Sequence, residues 1–260
     1  MGDLATFGSQ GYEIFEGERR DKIDELRQKL FLRAKSAVGG KGPDEPAAFF
    51  NRFHEHKLSS ADLNKVRLDI VDHCTKELDV ARNLFTGFHS TLLNLVGPDV
   101  AAQRTVNLVI QQPGDSDQVP IHRDAPSNSH FEVIVWLPLV DCFKTKSMFI
   151  LNKPDSSTGL DMLKSGKSYV DFSAFARGKG RDLSVPYGSA CFFAAGMVHG
   201  CNVNIENETR WSLNIRYKNL FSPYGAKGLL EFFEIISLSP LSRIGFDFER
   251  QEYGASPKAP

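Results

Sequence analysis

A change of pattern at Gly97-Pro98 constrains the fold of this chain more than any other feature. After it, apolar and β-branched segments alternate with turn residues, at the spacing of about 8–12 residues that short strands show. These segments are 104–112, 131–140, 147–151, 189–194, 199–205 and 210–217. Such a run of short strands is typical of a β-sandwich or a β-barrel.

The first hundred residues have a helical pattern instead. In 16–37, apolar residues recur three or four positions apart, at Ile23, Leu26, Leu30 and Ala34, which predicts an amphipathic helix. A second helical region begins at Ser59, with Asp62 completing a capping box. It runs to about Leu95, as one helix or as two broken near Thr86-Gly87. The Gly-rich residues 1–12 are predicted to be a loose lead-in.

The remaining segments complete a single predicted domain over 1–260. The polar residues 152–182 predict a long excursion with a weak strand near Tyr169, and 229–238 is predicted to be helical. The domain therefore has a mostly helical part (1–100), a β core (104–217) and a C-terminal helix with a tail (218–260). The helices are expected to bury their apolar stripes against the β core.

Composition excludes several classes of protein. The chain has 31 basic and 32 acidic residues, a net charge of −1, which argues against a dedicated nucleic-acid-binding protein. Four cysteines without a CxxC motif form neither a disulfide framework nor a zinc ribbon. No apolar stretch approaches the ~20 residues of a membrane span, and the first residues lack a signal-peptide pattern. We therefore expect a cytoplasmic protein.

A histidine and an aspartate two residues apart suggest a metal site. In the segment VPIHRD (119–124), His122 and Asp124 would share one face of a strand. His199 follows an apolar strand far along the chain and is the best candidate for a third ligand. Two histidines and one carboxylate that leave open positions suit non-haem Fe(II). Without His199 and Arg210, a core histidine bonded to Asp124 would be the favoured interpretation of His122.

Polar residues beyond His199 point to a bound anion. Arg210 and Ser212 would lie on the same face of one strand, and Arg216 continues that face. A guanidinium meets a carboxylate with two hydrogen bonds and keeps its charge when buried. Pairing of Arg210 with Glu206 or Glu208 at the preceding turn is the structural alternative.

At this point the chain resembles the Fe(II)/2-oxoglutarate-dependent dioxygenases. The resemblance covers 104–217 and consists of His122-Arg123-Asp124, the distal His199 and Arg210-Trp211-Ser212. It implies a mainly β fold, with N-terminal helices around a jelly-roll, cupin-like double-stranded β-helix. WLPLVD (136–141) is most similar to the phytanoyl-CoA-hydroxylase-like branch and to oxygenases of carbohydrate gene clusters.

The resemblance implies a role for each motif residue. His122, Asp124 and His199 would bind Fe(II), while Arg210 and Ser212 would bind 2-oxoglutarate. O₂ would be the co-substrate, with ascorbate as a possible reductant. Hydroxylation is favoured over halogenation, because Asp124 fills the position that a halide would need.

Three further residues are candidates around this site. Gln111 is a candidate contact for the cosubstrate, and His130 could line the pocket. Arg216 could bind a substrate anion, support the cosubstrate or be solvated.

Two other functions remain open on the sequence alone. One is a cupin-like metal site for non-oxidative sugar isomerisation or hydrolysis, in which Arg210 would be idle. The other is a non-catalytic β-sandwich that binds carbohydrate or a partner protein. For the oxygenase, we expect a small-molecule substrate, such as a sugar or a phosphorylated metabolite. The sequence specifies neither this substrate nor the oligomeric state.

Overall fold

A computed structural model of the chain describes residues 2–115 and 120–253, the last three by their backbone only. Val119 of the VPIHRD segment and the tail beyond 253 lie outside the described residues. The α-helices in this part of the chain are Leu4–Gln10 (α1), Arg20–Ala37 (α2), Pro46–Asn51 (α3), Ser60–His73 (α4), Val80–Gly87 (α5), His89–Val96 (α6), Lys153–Lys164 (α7), Tyr169–Lys179 (α8) and Pro240–Tyr253 (α9). The strands are Tyr12–Glu16 (β1), Val100–Gln103 (β2), Asn107–Gln111 (β3), Glu132–Pro138 (β4), Met148–Ile150 (β5), Arg181–Asp182 (β6), Ser189–Ala194 (β7), His199–Cys201 (β8), Arg210–Asn219 (β9) and Phe233–Ser237 (β10).

Two antiparallel sheets form the β part of the molecule. The larger sheet has seven strands in the order β1-β7-β4-β9-β2-β10, with β3 also paired to β9. The smaller sheet has the order β6-β5-β8. Strand β9 is the longest, and it pairs with β4 along one edge and with β3 and β2 along the other. It therefore lies at the centre of the larger sheet.

The two faces of β9 have opposite chemistry, as strand alternation dictates. Trp211, Leu213, Ile215 and Tyr217 are buried in the helix-facing core, the cluster shared between the larger sheet and the N-terminal helices. Trp211, for example, lies between Phe50 and Phe53, each with its ring centroid 4.9 Å away. The opposite face presents polar residues only: Arg210, Ser212, Asn214, Arg216 and Lys218.

A second cluster, the inter-sheet core, joins the two sheets. It contains Ile134 and Trp136 of β4 and Phe193 of β7, packed with Met148 and Ile150 of β5. Side chains that alternate along β4 thus serve both cores, because Val133, Val135 and Leu137 belong to the helix-facing core. The polar face of β9 is on the same side of the larger sheet as the inter-sheet core.

The N-terminal helices follow the predicted pattern, with differences at their ends. The helix predicted in 16–37 is confirmed as α2, and Ser59 caps α4 by accepting a hydrogen bond from the Asp62 amide. The region to residue 95 is three helices and a π-helical turn, broken at Asp79, whose φ is +42°, and at Phe88. The prediction of a loose lead-in at 1–12 was wrong: α1 lies there, and β1 follows and pairs with β7.

The structure contradicts the prediction for 152–182. Most of this segment is the helical pair α7 and α8, and its strand, β6, lies at the end of the segment instead of near Tyr169. Asn152 caps α7 ahead of Pro154, and Ser168 forms a capping box with Asp171. Helix α8 then buries Phe172 and Ala176 in a third cluster with Ile121, Phe149, Leu151 and Val198. The helix caps were visible in the sequence, and the polar composition masked them.

The structure also contradicts the helix predicted at 229–238. Residues 229–238 contain the strand β10, which pairs with β2, and the C-terminal helix lies later as α9. Strand β2 was not predicted from the sequence. A segment this short forms a strand only where a sheet edge pairs with it, and β9 provides that edge. The larger sheet thus extends beyond 104–217 at both ends.

The secondary structure of the described residues consists of helices and antiparallel sheets. More of the described residues lie in α-helices than in strands, so the expectation of a mainly β chain was wrong. Within residues 2–115 and 120–253, no helix is long and apolar enough to cross a membrane.

Candidate functional site

The backbone brings the two candidate histidines directly together. His122 and His199 form an antiparallel bridge, with N–H···O distances of 3.0 and 2.9 Å in the two directions. Their ring centroids are 4.4 Å apart. His199 begins β8, whereas His122 is in no regular strand and Asp124 has a helical backbone conformation. The strand alternation predicted for His122 and Asp124 was therefore wrong.

Each imidazole is oriented by a backbone carbonyl. The Nδ1 of His122 is 2.8 Å from the Pro120 oxygen, and the Nδ1 of His199 is 3.0 Å from the Met197 oxygen. A carbonyl accepts only, so each Nδ1 carries a proton and Nε2 is the ring nitrogen that could bind a metal. Burial lowers the pKa of His199 to about 4, against the opposing effect of Asp124. His199 is therefore neutral near pH 7, the form that binds metals.

Asp124 is held by Arg216. The Nη2 of Arg216 donates to Asp124 Oδ1 at 2.6 Å, and its Nη1 donates to Glu132 Oε2 at 2.8 Å. The Glu132 side chain is fully buried, and Asn128 donates a further hydrogen bond to it. Arg216 thus bridges two carboxylates, and its guanidinium is committed to positioning Asp124.

These residues are a suitable donor set for a divalent metal. The second oxygen of Asp124, Oδ2, faces His199 with 3.8 Å between it and Nε2. Both histidines offer Nε2, and the carboxylate keeps one oxygen that Arg216 does not bind. As they stand, no three His, Cys, Asp or Glu side chains of residues 2–115 and 120–250 are grouped closely enough to hold an ion. Binding would require the Asp124 side chain to be shared between the metal and Arg216.

Arg210 marks the other end of the polar face. Its side chain is buried, and its two terminal nitrogens each lie 3.3 Å from the Cys201 sulfur. In the described part of the chain it has no carboxylate partner. Glu208 pairs with Lys146 and Glu206 accepts from Thr145, so the alternative pairing of Arg210 at the turn was wrong.

Several buried polar atoms on the polar face of β9, and on Gln111 opposite Arg210, lack a hydrogen-bond partner in the described residues. They include Arg210 Nε, Ser212 Oγ, Asn214 Oδ1 and Gln111 Oε1. Gln111 is fixed through its amide nitrogen, which donates to the Asn202 oxygen at 2.8 Å. Buried polar groups are normally paired, so this row of unpaired atoms is the mark of a site for a polar ligand. Asn214 was missed from the sequence, although alternation from Arg210 to Arg216 implied it. Cys201 was expected only to pack in the core, whereas its sulfur contacts Arg210.

A cleft of about 420 Å³ opens at the Asp124 end of the face. We call it the Asp124 cleft; Asp124, Asn214, Arg216, Arg67 and Lys227 are among its lining residues. His130 is exposed and lines a different surface pocket, with Phe7 and Ser222. It is not brought to the candidate metal ligands.

No family model and no curated protein matches the sequence. Solved structures do match the fold. Non-haem monooxygenase ThoJ in complex with nickel has a TM-score of 0.52 at 15% identity, covering 92% of this chain and 84% of its own. EctD from S. alaskensis, with 2-oxoglutarate and 5-hydroxyectoine, has a TM-score of 0.52 at 14% identity, over 83% of this chain and 74% of its own.

The chain shares their fold. HygX from Streptomyces hygroscopicus, with nickel and 2-oxoglutarate bound, matches at a TM-score of 0.50 and 14% identity, over 92% of both chains. At these identities the likeness concerns the path of the backbone. The chemistry has to be argued from the residues that this chain places on that backbone.

Proposed function

We propose that the chain is a non-haem Fe(II)/2-oxoglutarate-dependent oxygenase that oxidises a C–H bond of a small molecule, by hydroxylation in the simplest case. Arg210 carries the proposal. It is a buried cation without a carboxylate partner in the described residues, on the strand face that ends beside Asp124. A buried charge is costly unless it is paired. A dicarboxylate cosubstrate supplies the missing anion.

The strand spacing fits a ligand that spans the two ends of this site. His199 and Cys201 are two residues apart in β8, which separates them by about 6.6 Å along the strand. Cys201 contacts Arg210, and His199 faces Asp124. A five-carbon dicarboxylate has about this reach. Its distal carboxylate would accept hydrogen bonds from Arg210 and from the unpaired Ser212 hydroxyl, with Gln111 beside it.

Fe(II) would be held by Nε2 of His122 and His199 and by Asp124. When bound, iron with 2-oxoglutarate and O₂ supplies the oxidising chemistry, and ascorbate would serve as the reductant that keeps the metal ferrous. The protein's own contribution is to orient the two imidazoles through hydrogen bonds from their Nδ1 atoms. Arg216 holds Asp124 in place through the 2.6 Å contact.

Several finer features belong to the same proposal. The paired antiparallel sheets are those of a jelly-roll, double-stranded β-helix core, in one domain that covers 1–260. Within this superfamily we favour the phytanoyl-CoA-hydroxylase-like branch, because of the similarity of the segment WLPLVD (136–141). We place the protein in the cytoplasm, with a small molecule as its partner and no nucleic acid.

Conversion of 2-oxoglutarate to succinate tests the reaction class. Purified protein with Fe(II), ascorbate and 2-oxoglutarate should form succinate only when O₂ is admitted, even without the main substrate. His199→Ala and Asp124→Ala should reduce this rate to background. His130→Ala is the matched control, because it removes an exposed histidine from a separate pocket and should leave the rate unchanged.

The alternatives give other outcomes. A cupin-like isomerase or hydrolase, or a carbohydrate-binding sandwich, would form no succinate at all. Succinate formation that survives both ligand variants would also contradict the proposed site.

A further inference from the structure

We propose that the Asp124 cleft binds a small molecule through an oxyanion group, a carboxylate or a phosphate, with Arg67 and Lys227 as its contacts. The inference deepens the proposed function, on which it rests, by naming the substrate class. Three cations line the cleft against one carboxylate, Asp124. They come from separate elements: Arg67 from α4, Arg216 from β9, and Lys227 from the segment between β9 and β10.

Two of these three cations are uncompensated. Arg216 is neutralised by Asp124 and Glu132. Arg67 donates through Nε and Nη2 to the neutral Asn64 Oδ1, at 3.2 and 2.9 Å. Lys227 lies over the Phe232 ring, with Nζ 4.2 Å from the centroid. Neither Arg67 nor Lys227 forms an ion pair within the described residues.

Lys227 is held at the cleft by its backbone. The amides of Gly225 and Lys227 donate to Asn128 Oδ1 at 3.1 and 2.9 Å. At Gly225 a Cβ would lie 2.0 Å from the Asn128 carbonyl oxygen, so only glycine permits this approach. Asn128 in turn contacts Glu132, the carboxylate bound to Arg216. The segment is thus fixed to the same network that positions Asp124.

The environment of Lys227 favours a bound anion. Burial, followed by the repulsion from Arg216, lowers the pKa of Lys227, against the smaller opposing effects of Glu132 and Asp124. A partly buried cation beside another cation is stabilised when an anion enters. The cleft is also lined by neutral polar residues, Gln103, Thr105 and Asn107. They offer donors and acceptors that suit hydroxyl groups on the same ligand.

The cleft is distinct from the proposed cosubstrate site. Arg210 and Ser212 are not among its lining residues. Arg210 lies six residues from Arg216 along β9, about 20 Å at the usual rise of a strand. Asp124, a candidate metal ligand, itself lines the cleft. A substrate anchored at Arg67 and Lys227 would therefore present its carbon skeleton toward the candidate metal.

Inorganic phosphate is the probe for this inference. We would titrate it into the metal-free protein, with 2-oxoglutarate present to occupy Arg210, and follow binding by ³¹P NMR. Arg67→Gln and Lys227→Gln should each raise the dissociation constant of phosphate about tenfold, the effect of one charged hydrogen bond. Lys65→Gln is the control on the same helix, since Lys65 is exposed and pairs with Asp62. It should leave the constant unchanged.

The affinity for 2-oxoglutarate, measured with Ni(II), separates the two proposals. Arg67→Gln and Lys227→Gln should leave it unaltered. Loss of 2-oxoglutarate affinity in these variants would overturn the inference, because the cleft would then be the cosubstrate site. No phosphate binding, or equal phosphate binding in all variants, would also overturn it. Failure of the wild-type protein to bind 2-oxoglutarate would reject the proposed function. The phosphate titration would still show whether Arg67 and Lys227 bind an anion.

Discussion

At the residue scale, Arg216 has a larger role in the candidate site than its position in the sequence suggests. Its alternation with Arg210 and Ser212 was visible in the sequence, but its partners were not. Asp124 precedes it by 92 residues and Glu132 by 84. Both contacts arise because β4 and β9 pair and the segment after His122 folds over that pair. We therefore treat Arg216 as a positioning residue for Asp124.

Replacing Arg216 should weaken metal binding. Arg216→Met frees the Asp124 carboxylate, and we expect the affinity for Ni(II) to fall by about 10–100-fold, as for other partners of metal ligands. Calorimetric titration with Ni(II) measures it. Glu132→Gln is the control, because it keeps the bond between Arg216 and Asp124. It should lower the stability and leave the Ni(II) affinity near that of the wild type. Equal loss of affinity in both variants would contradict a specific role for Arg216.

Cys201 should report on occupancy of the cosubstrate site. It is the partly exposed cysteine, whereas Cys74, Cys142 and Cys191 are buried with raised thiol pKa values. Because its sulfur contacts the Arg210 guanidinium, bound 2-oxoglutarate should shield it. We expect 2-oxoglutarate to slow labelling of Cys201 by a thiol reagent at least about fivefold. Labelling at an unchanged rate would place the cosubstrate elsewhere.

At the element scale, the helical pair α7–α8 supports both histidines from behind. Phe172 of α8 is buried with Ile121 and Val198, the residues that immediately precede His122 and His199. Tyr169 also donates to the Ile121 carbonyl at 3.2 Å. This role was not predicted from the sequence, because a Lys- and Ser-rich segment suggests an exposed loop. Packing of its few apolar residues decided its structure.

Truncating Phe172 should therefore affect the metal site and the stability together. We expect Phe172→Ala to cost about 3–5 kcal/mol of unfolding free energy, as for other buried phenylalanines, and to reduce Ni(II) affinity. Phe88→Ala is the matched control: Phe88 is equally buried, but in the helix-facing core against Phe192. It should lose similar stability without loss of metal affinity in the folded protein. Urea unfolding and Ni(II) titration distinguish the two variants.

At the scale of the whole molecule, the helices and the larger sheet share one core. Trp211 of β9 contacts Phe50 and Phe53, and the Tyr217 hydroxyl donates to the Ala81 carbonyl at 2.7 Å. The amphipathic pattern of α2 and the strand pattern of β9 predicted these elements. Their partners could not be predicted, since strands such as β1, β2 and β10 exist only where a sheet edge receives them. The candidate metal and anion residues could be proposed from the sequence, because their residue types follow from the chemistry of the expected ligands.

We expect this shared core to unfold in one step. The two tryptophans report on different regions, because Trp136 lies in the inter-sheet core and Trp211 in the helix-facing core. Urea unfolding of Trp136→Phe and Trp211→Phe, each corrected for its own stability by circular dichroism, should give coincident fluorescence and ellipticity transitions. In Trp136→Phe, Trp211 is the remaining tryptophan. If its fluorescence changed at a lower urea concentration than the ellipticity, the helical layer would separate from the sheets.

The absorption spectrum of the anaerobic protein tests the central claim most directly. With Fe(II) and 2-oxoglutarate together, the wild-type protein should develop the weak visible charge-transfer band of a chelated 2-oxo acid. His199→Ala should abolish the band at any ligand concentration. Arg210→Gln should retain it but require a much higher concentration of 2-oxoglutarate. Absence of the band from the wild-type protein, or its persistence in His199→Ala, would contradict the account.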